Sequence, residues 1–332
     1  MRIYTFYMEQ AQKQKLLKRV FWGAVFFNFA AMAGLGLWIF FKPGSAPRGF
    51  AAQNPAPQVL GAISAPLRGP EQPILPSLFE ETGQLQLDGV SAKSFLVYDA
   101  ETGQDLLARD PDQRLGIASL TKLLTAYTAY QQLNMAGEIT VPSSTDSSIS
   151  PSLKLRPGDR IKTLDIFNAM LVGSENDAAG VLAFVVKTQT GQSTVTLMNQ
   201  AAQGLGMNNS HFGNPFGFDY GNNYSTANDL KKLVNQTQQL RAFTALESKT
   251  GYSFKGSFNE TYRARATNKL VGSRKNIYAI KTGYTETTLG SIALKTYFEG
   301  RPVVVIVLGS LNREADALKL IDEVTKNFHL AK

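Results

Sequence analysis

NIYAIKTGYTETTLGSIALKTYFEGRPVVVIVLGS, residues 276–310, shows the architecture of this chain most plainly. Three strand-like runs, NIYAIKTGY, SIALKTYFEG and RPVVVIVLGS, are rich in Ile, Val, Tyr and Thr, whose branched or aromatic side chains fit a pleated surface. A Glu299-Gly300-Arg301 turn joins the last two. Downstream, the chain closes with an amphipathic helix carrying Leu318, Ile321, Val324 and Phe328 on one side. Far upstream, KSFLVYDAETGQDLLARD (93–110) reads as two more strands around a Glu101-Thr102-Gly103 turn. The segments between are helical. ASLTKLLTAYTAYQQL (118–133) places Leu120, Leu123, Leu124, Tyr127 and Tyr130 at helical spacing. TLDIFNAMLVGS, AAGVLAFVVKTQT and STVTLMNQAAQGLG follow, the last ending at glycine. STANDLKKLVNQT opens on Ser225 or Thr226 with Asp229, a capping-type start. Strands, helices, three strands and a helix predict an α+β fold: an antiparallel sheet assembled from both chain ends, with flanking helices and an inserted all-helical block.

The 332 residues, 43% apolar, suffice for a large core. There is no cysteine, which excludes a disulfide framework, a thiol nucleophile and Cys-ligated metal. The only histidines are His211 and His329, a poor donor set for a catalytic metal, so no metal or cofactor is expected. The net charge of +8 is uneven: the first 50 residues carry seven Lys/Arg against Glu9, and the rest is close to neutral. The basic balance is therefore no argument for nucleic acid binding.

VFWGAVFFNFAAMAGLGLWIFF, residues 20–41, holds no charge. Twenty-two helical residues span about 33 Å, enough for a hydrocarbon core of about 30 Å. Trp22 and Trp38 sit near its ends, and basic residues precede it. The positive-inside bias predicts a cytoplasmic tail (1–19), one transmembrane helix (20–41) and an extracytoplasmic remainder at the cell membrane. A cleaved leader is the alternative, since Ala31-Met32-Ala33 resembles a small-residue cleavage site. GLGLWIFF directly after it favours an uncleaved anchor. A Pro/Ala/Gly-rich stretch follows and reads as a tether over 42–84. The globular domain is expected over 85–332.

Three short motifs carry chemistry. Ser119-Leu120-Thr121-Lys122 puts a hydroxyl and an amine on one helical face. Lysine can take the serine proton if burial or a nearby cation depresses its pKa. Ser119 lies near its helix start, where free N–H groups favour developing negative charge. Ser174-Glu175-Asn176 lies between two predicted helices, where a hydroxyl and a carboxamide can relay a proton and hold an amide; as a helix cap it would be ordinary. Lys-Thr-Gly-Tyr occurs twice, at 249–252 and 281–284. The second copy ends an apolar strand, and Gly283 lets a substrate approach the backbone. The first has no such strand before it and reads as a turn or the start of a peripheral strand.

In this order, SLTK, SEN and KTGYT with their flanks resemble the penicillin-binding proteins and serine β-lactamases. The finer likeness, over residues 88–328, is to the low-mass D-alanyl-D-alanine carboxypeptidases. It includes GDRIKTLDIFNAMLVGSENDAAGVLA, MNNSHFGNPFGF and ATNKL before KTGYT. The resemblance implies a β-lactamase/transpeptidase-like fold, and peptidoglycan stem peptides as substrate. Ser119 would attack the D-Ala-D-Ala carbonyl with Lys122 as base. Ser174 and Asn176 would line the opposite wall. Lys281, Thr282, Gly283 and Tyr284 would bind substrate, with the N–H groups of Ser119 and Tyr284 as oxyanion hole. β-Lactams would acylate Ser119. Thr288-Leu289-Gly290 departs from the family's usual Ala-Gly, and Glu175 adds a carboxylate near the cleft. His211 reads as structural and His329 as exposed. The same machinery also suits a D,D-endopeptidase that cuts peptide cross-links. A class A-like β-lactamase would need a Glu-x-x-x-Asn element that is not evident between Ser174 and Lys281. An idle wall-binding protein would not need Ser119, Lys122 and Lys281 together.

Overall fold

The computed structural model describes residues 79–143 and 152–331. The expected tail, the apolar run 20–41 and most of the tether lie outside the described residues. Among the described residues no helix is long and apolar enough to cross a membrane.

The elements are β1 (Phe79–Glu81), β2 (Ser94–Asp99), β3 (Asp105–Arg109), a 3-10 turn (Ala118–Leu120), α1 (Thr121–Gln132), β4 (Glu138–Thr140), β5 (Arg160–Lys162), α2 (Thr163–Gly173) and α3 (Asn176–Thr190). Then follow α4 (Thr194–Gly204), α5 (Ala227–Gln238), α6 (Arg241–Thr244), β6 (Gly251–Lys255), β7 (Thr261–Arg265), β8 (Ile277–Thr285), β9 (Leu289–Phe298), β10 (Arg301–Ser310), α7 (Arg313–Asn327) and β11 (Phe328–Leu330). The central sheet has the order β3-β2-β10-β9-β8, and each neighbouring pair is antiparallel. The expected α+β arrangement is present: both chain ends build the sheet, and the helices α1–α6 sit between β3 and β8 in sequence.

Alternation along the central strands distributes side chains to two cores. Leu96, Tyr98, Val304, Ile306 and Leu308 face the helical block. Phe95, Val97, Val303, Val305 and Val307 face the other way, toward Ala317, Leu320 and Val324 of α7. Both faces are covered, so β2 is buried along its whole length. Helix α1 passes through the first core; every residue from Thr121 to Ala129 is buried, as befits a helix enclosed on all sides.

Two expectations need adjustment. β1 lies inside the stretch 42–84 read as tether, and it pairs with β11 at the other end of the chain. Among the described residues, folded structure thus extends into that stretch. Helix α7 buries Asp316, Ala317, Leu320, Glu323, Val324 and Asn327, while Leu318 and Ile321 are only half-buried and Phe328 has passed into β11. The face is rotated because polar residues anchor the N-terminal segment. Asp316 accepts from Ser91 N (3.1 Å) and Ser310 Oγ (2.6 Å), and Glu323 accepts from Gln86 N (2.8 Å).

Candidate active site

The 3-10 turn presents Ser119 at the N-terminal end of α1. Ala118 has φ 47°, a left-handed conformation that costs a residue with a side chain about 1–2 kcal/mol. Lys122 lies one turn on, fully buried. Its Nζ donates to Ser119 Oγ at 3.0 Å and to the Phe216 carbonyl at 2.7 Å. Burial pulls its pKa down to about 7, against a smaller upward pull from Glu175. A neutral amine in contact with a serine hydroxyl is a competent base.

Helix α2 stops at Ser174, which is left-handed (φ 60°, ψ 29°). That break turns the hydroxyl toward β8, where it accepts from Lys281 Nζ at 2.7 Å. Asn176, half-buried, opens α3. Between them Glu175 is buried and accepts a short hydrogen bond from Ser152 Oγ. Burial and the neighbouring Asp177 raise its pKa, while the Ser152 bond and the charges of Lys122 and Lys281 oppose that rise.

β8 is the edge of the central sheet and supplies the third wall. Lys281 is 2% exposed and also donates to the Thr282 carbonyl (2.8 Å). Burial holds its pKa well below the usual lysine value, and the positive charges of Lys122 and Arg313 add to that. Thr282 Oγ1 is 2.6 Å from Thr267 Oγ1. At Gly283 a Cβ would lie 2.7 Å from Ser119 N, 2.8 Å from Ile117 O and 3.0 Å from Ala118 Cβ. Only glycine lets the strand end approach the nucleophile turn so closely. Tyr284 is 62% exposed at the rim.

All three motifs therefore converge, and the duplicate resolves: Lys249 and Thr250 are exposed and Gly251 opens β6, in a separate two-stranded sheet with β7. His211 is exposed and bridges by backbone to Tyr224. His329 faces Glu299 at 3.1 Å, its side chain half-exposed. Sequence reasoning passed over three participants. Arg313, which donates to the Gly283 carbonyl at 2.7 Å, is a lone arginine at a helix start. The Phe216 carbonyl has no side-chain signature. Ser152 gave no motif at all.

The family model for D-alanyl-D-alanine carboxypeptidases (peptidase S11) matches residues 81–312. The D-alanyl-D-alanine endopeptidase of Pseudomonas aeruginosa is 32% identical over 242 residues, 70% of this chain and 76% of that protein. D-alanyl-D-alanine carboxypeptidase DacC of Escherichia coli is 28% identical over 255 residues; the alignment spans 71% of this chain but only 60% of the relative. Among solved structures, penicillin-binding protein D2 from Listeria monocytogenes in its ampicillin-bound form superposes with a TM-score of 0.61 at 25% identity, covering 71% of this chain and 98% of that one.

Proposed function

This chain belongs to the D-alanyl-D-alanine carboxypeptidase family, and from that membership we propose how its residues divide the work. The enzyme is a serine D,D-carboxypeptidase that removes the terminal D-Ala from peptidoglycan stem peptides. Ser119 Oγ attacks the carbonyl carbon of the D-Ala-D-Ala bond while its proton passes to Lys122 Nζ. The N–H groups of Ser119 and Tyr284 take the oxyanion. As the C–N bond breaks, the proton reaches the leaving amine through Ser174 Oγ, leaving an ester on Ser119. Water, deprotonated by Lys122, hydrolyses that ester and regenerates the hydroxyl.

The observation that carries this reading is the contact of buried Lys122 with Ser119, opposite a second buried lysine that reaches Ser174. Lys281, Thr282 and the nearby Arg313 receive the substrate carboxylate; its arrival restores the proton affinity that burial takes from Lys281. Asn176 holds a substrate amide. The free edge of β8 suits an extended peptide, which adds to a sheet edge through its backbone. β-Lactams present an acyl group to the same hydroxyl. Mass spectrometry of the full-length protein with a penicillin tests this: a covalent adduct in wild type, absent in Ser119→Ala. An adduct that persists in Ser119→Ala would overturn it.

The endopeptidase named among the relatives supports a second activity at this site, cleavage of the D-Ala cross-link. Digestion of monomeric pentapeptide muropeptides beside cross-linked dimers separates the two. We place the domain outside the cell membrane, held by residues 20–41. The charge-free apolar run, with basic residues before it, supports this. Loss of membrane sedimentation on deleting residues 1–41 is the expected outcome, and unchanged sedimentation would refute the anchor.

A further inference from the structure

Lys122 can accept a proton from Ser119 only if its lone pair faces that hydroxyl. A neutral amine has two N–H donors and one lone pair, so its orientation is set by whatever takes the donors. Among the described residues one acceptor besides Ser119 does so: the Phe216 carbonyl, at 2.7 Å. The same carbonyl faces the ammonium that forms as Ser119 loses its proton. It therefore interacts more strongly in the transition state than before it.

A carbonyl in a loop is only as well placed as the loop. In this one the buried Asn214 makes five hydrogen bonds to the turn, and Asn223 adds one to the Phe218 carbonyl at 3.0 Å. Asn214 is 3% exposed. Its Oδ1 accepts from the backbone N–H of Phe216 (3.1 Å), Gly217 (2.9 Å) and Phe218 (3.1 Å). Its Nδ2 donates to the carbonyls of Phe218 (3.1 Å) and Tyr220 (2.6 Å). One carboxamide thus uses its acceptor and its donors to wrap residues 214–220 around itself. Two further ties seat this turn on the catalytic helix. Thr125, on α1 one turn beyond Lys122, donates to the Pro215 carbonyl at 2.8 Å. Gly217 (φ 86°) lies so close that a Cβ there would overlap the Ala118 carbonyl. At its far end the loop reaches the end of β8, where Thr285 donates to Asp219 at 2.8 Å.

We propose that Asn214 is a positioning residue for catalysis, shaping the turn that aims the Phe216 carbonyl at Lys122 and so holds the Lys122 lone pair toward Ser119. The inference rests on Lys122 being the base. Asn214 itself touches neither substrate nor nucleophile. Its loss should slow bond formation and leave recognition of the ligand intact.

The test separates the acylation rate constant from the affinity of the preceding noncovalent complex, using a fluorescent penicillin and the full-length enzyme. Asn214→Ala should lose about 30- to 100-fold in the acylation rate constant, a part of the 10²–10⁴-fold that general-base assistance supplies. The noncovalent affinity should stay within about twofold of wild type. Thr125→Val, nearly isosteric, removes the second tether and should give a smaller loss in the same constant. It also serves if Asn214→Ala fails to fold. Asn199→Ala is the control. Asn199 ties the segment just upstream through the N–H and carbonyl of Phe212 (3.0 and 2.7 Å) without touching the turn. It should lower the thermal midpoint yet leave the acylation constant within about twofold. Acylation at the wild-type rate in Asn214→Ala and Thr125→Val would overturn the inference. So would an equal loss in Asn199→Ala at equal thermal destabilisation. Neither result touches the role of Ser119, which the absence of adduct in Ser119→Ala tests separately.

Discussion

Lys281 Nζ donates to Ser174 Oγ at 2.7 Å, across 107 residues of sequence. Lys122 Nζ meets Ser119 Oγ at 3.0 Å in the same cleft. Two lysine side chains, both buried, thus sit on two serine hydroxyls, with the acidic Glu175 acting on both. Burial lowers the proton affinity of both, the charge of Lys122 lowers that of Lys281 further, and Glu175 opposes the fall in each. Such a cluster is expensive to fold and useful for moving protons.

The first prediction is a pH profile. Lys122 acts as a base only when deprotonated, and its pKa is drawn down to about 7 by burial. Acylation by penicillin should therefore rise with pH through about 7. Glu175 pulls that pKa upward, so Glu175→Gln should move the acidic limb to lower pH. The other charges at this cluster are Lys281, Arg313 and Asp177, all unchanged in the variant. Stopped-flow acylation between pH 5 and 9 reads the limb; an upward shift in Glu175→Gln would refute the assignment.

Much of this was legible beforehand, for identifiable reasons. SLTK, SEN and the second KTG are local patterns, and the strands around them are long and strongly patterned, as in RPVVVIVLGS. What escaped was what has no local signature. β1 and β11 are three-residue strands whose pairing joins residues 79–81 to 328–330, far apart in sequence. The buried face of α7 includes Asp316, Glu323 and Asn327, which a hydrophobic stripe cannot reveal because their burial depends on backbone groups from residues 82–91. Arg313 and the Phe216 carbonyl join the site only through tertiary proximity.

The repeated motif gives a second prediction. Lys281 is buried among Ser174, Thr282 and the cleft, whereas Lys249 is exposed. Lys281→Ala should cut the second-order rate constant for acylation by at least about 100-fold, because a positioned charge-stabilising donor is worth that much. Lys249→Ala should fall within about twofold of wild type. Comparable losses in the two variants would show that the strand-borne copy is not the functional one.

Glycine 283 provides a third. A methyl group there meets the backbone of Ile117 and Ser119 at 2.7–2.8 Å, and backbone cannot swing aside as a side chain does. Gly283→Ala should cost about 1–3 kcal/mol in stability through overpacking. Acylation should fall about 100-fold, because displacement of the nucleophile by even an ångström is that damaging. Gly204, at the end of α4, has nothing within 4 Å of its would-be Cβ. Gly204→Ala should leave activity unchanged and raise stability by up to about 1 kcal/mol. Urea titrations beside acylation rates check both.

The last prediction concerns a carboxylate far from the reaction. Asp159 is wholly buried and joins the strand β5 region to the β6–β7 hairpin. It accepts from Tyr262 Oη (2.8 Å), Ser257 Oγ (2.9 Å) and Phe258 N (3.2 Å). Burial alone would raise its pKa, but those donors outweigh it and hold the carboxyl below its ordinary value. A carboxyl depressed in the folded state stabilises the protein above its unfolded pKa, and that contribution fades as pH falls through the folded value. Asp159→Asn should therefore cost about 1–3 kcal/mol near neutral pH, where it puts an amide before donors matched to a carboxylate. The gap between variant and wild type should narrow as pH drops below the usual carboxylate range. Urea denaturation at several pH values measures it, and a gap that stays constant from neutral pH down to pH 3 would mean that the charge of Asp159 is not what holds the hairpin.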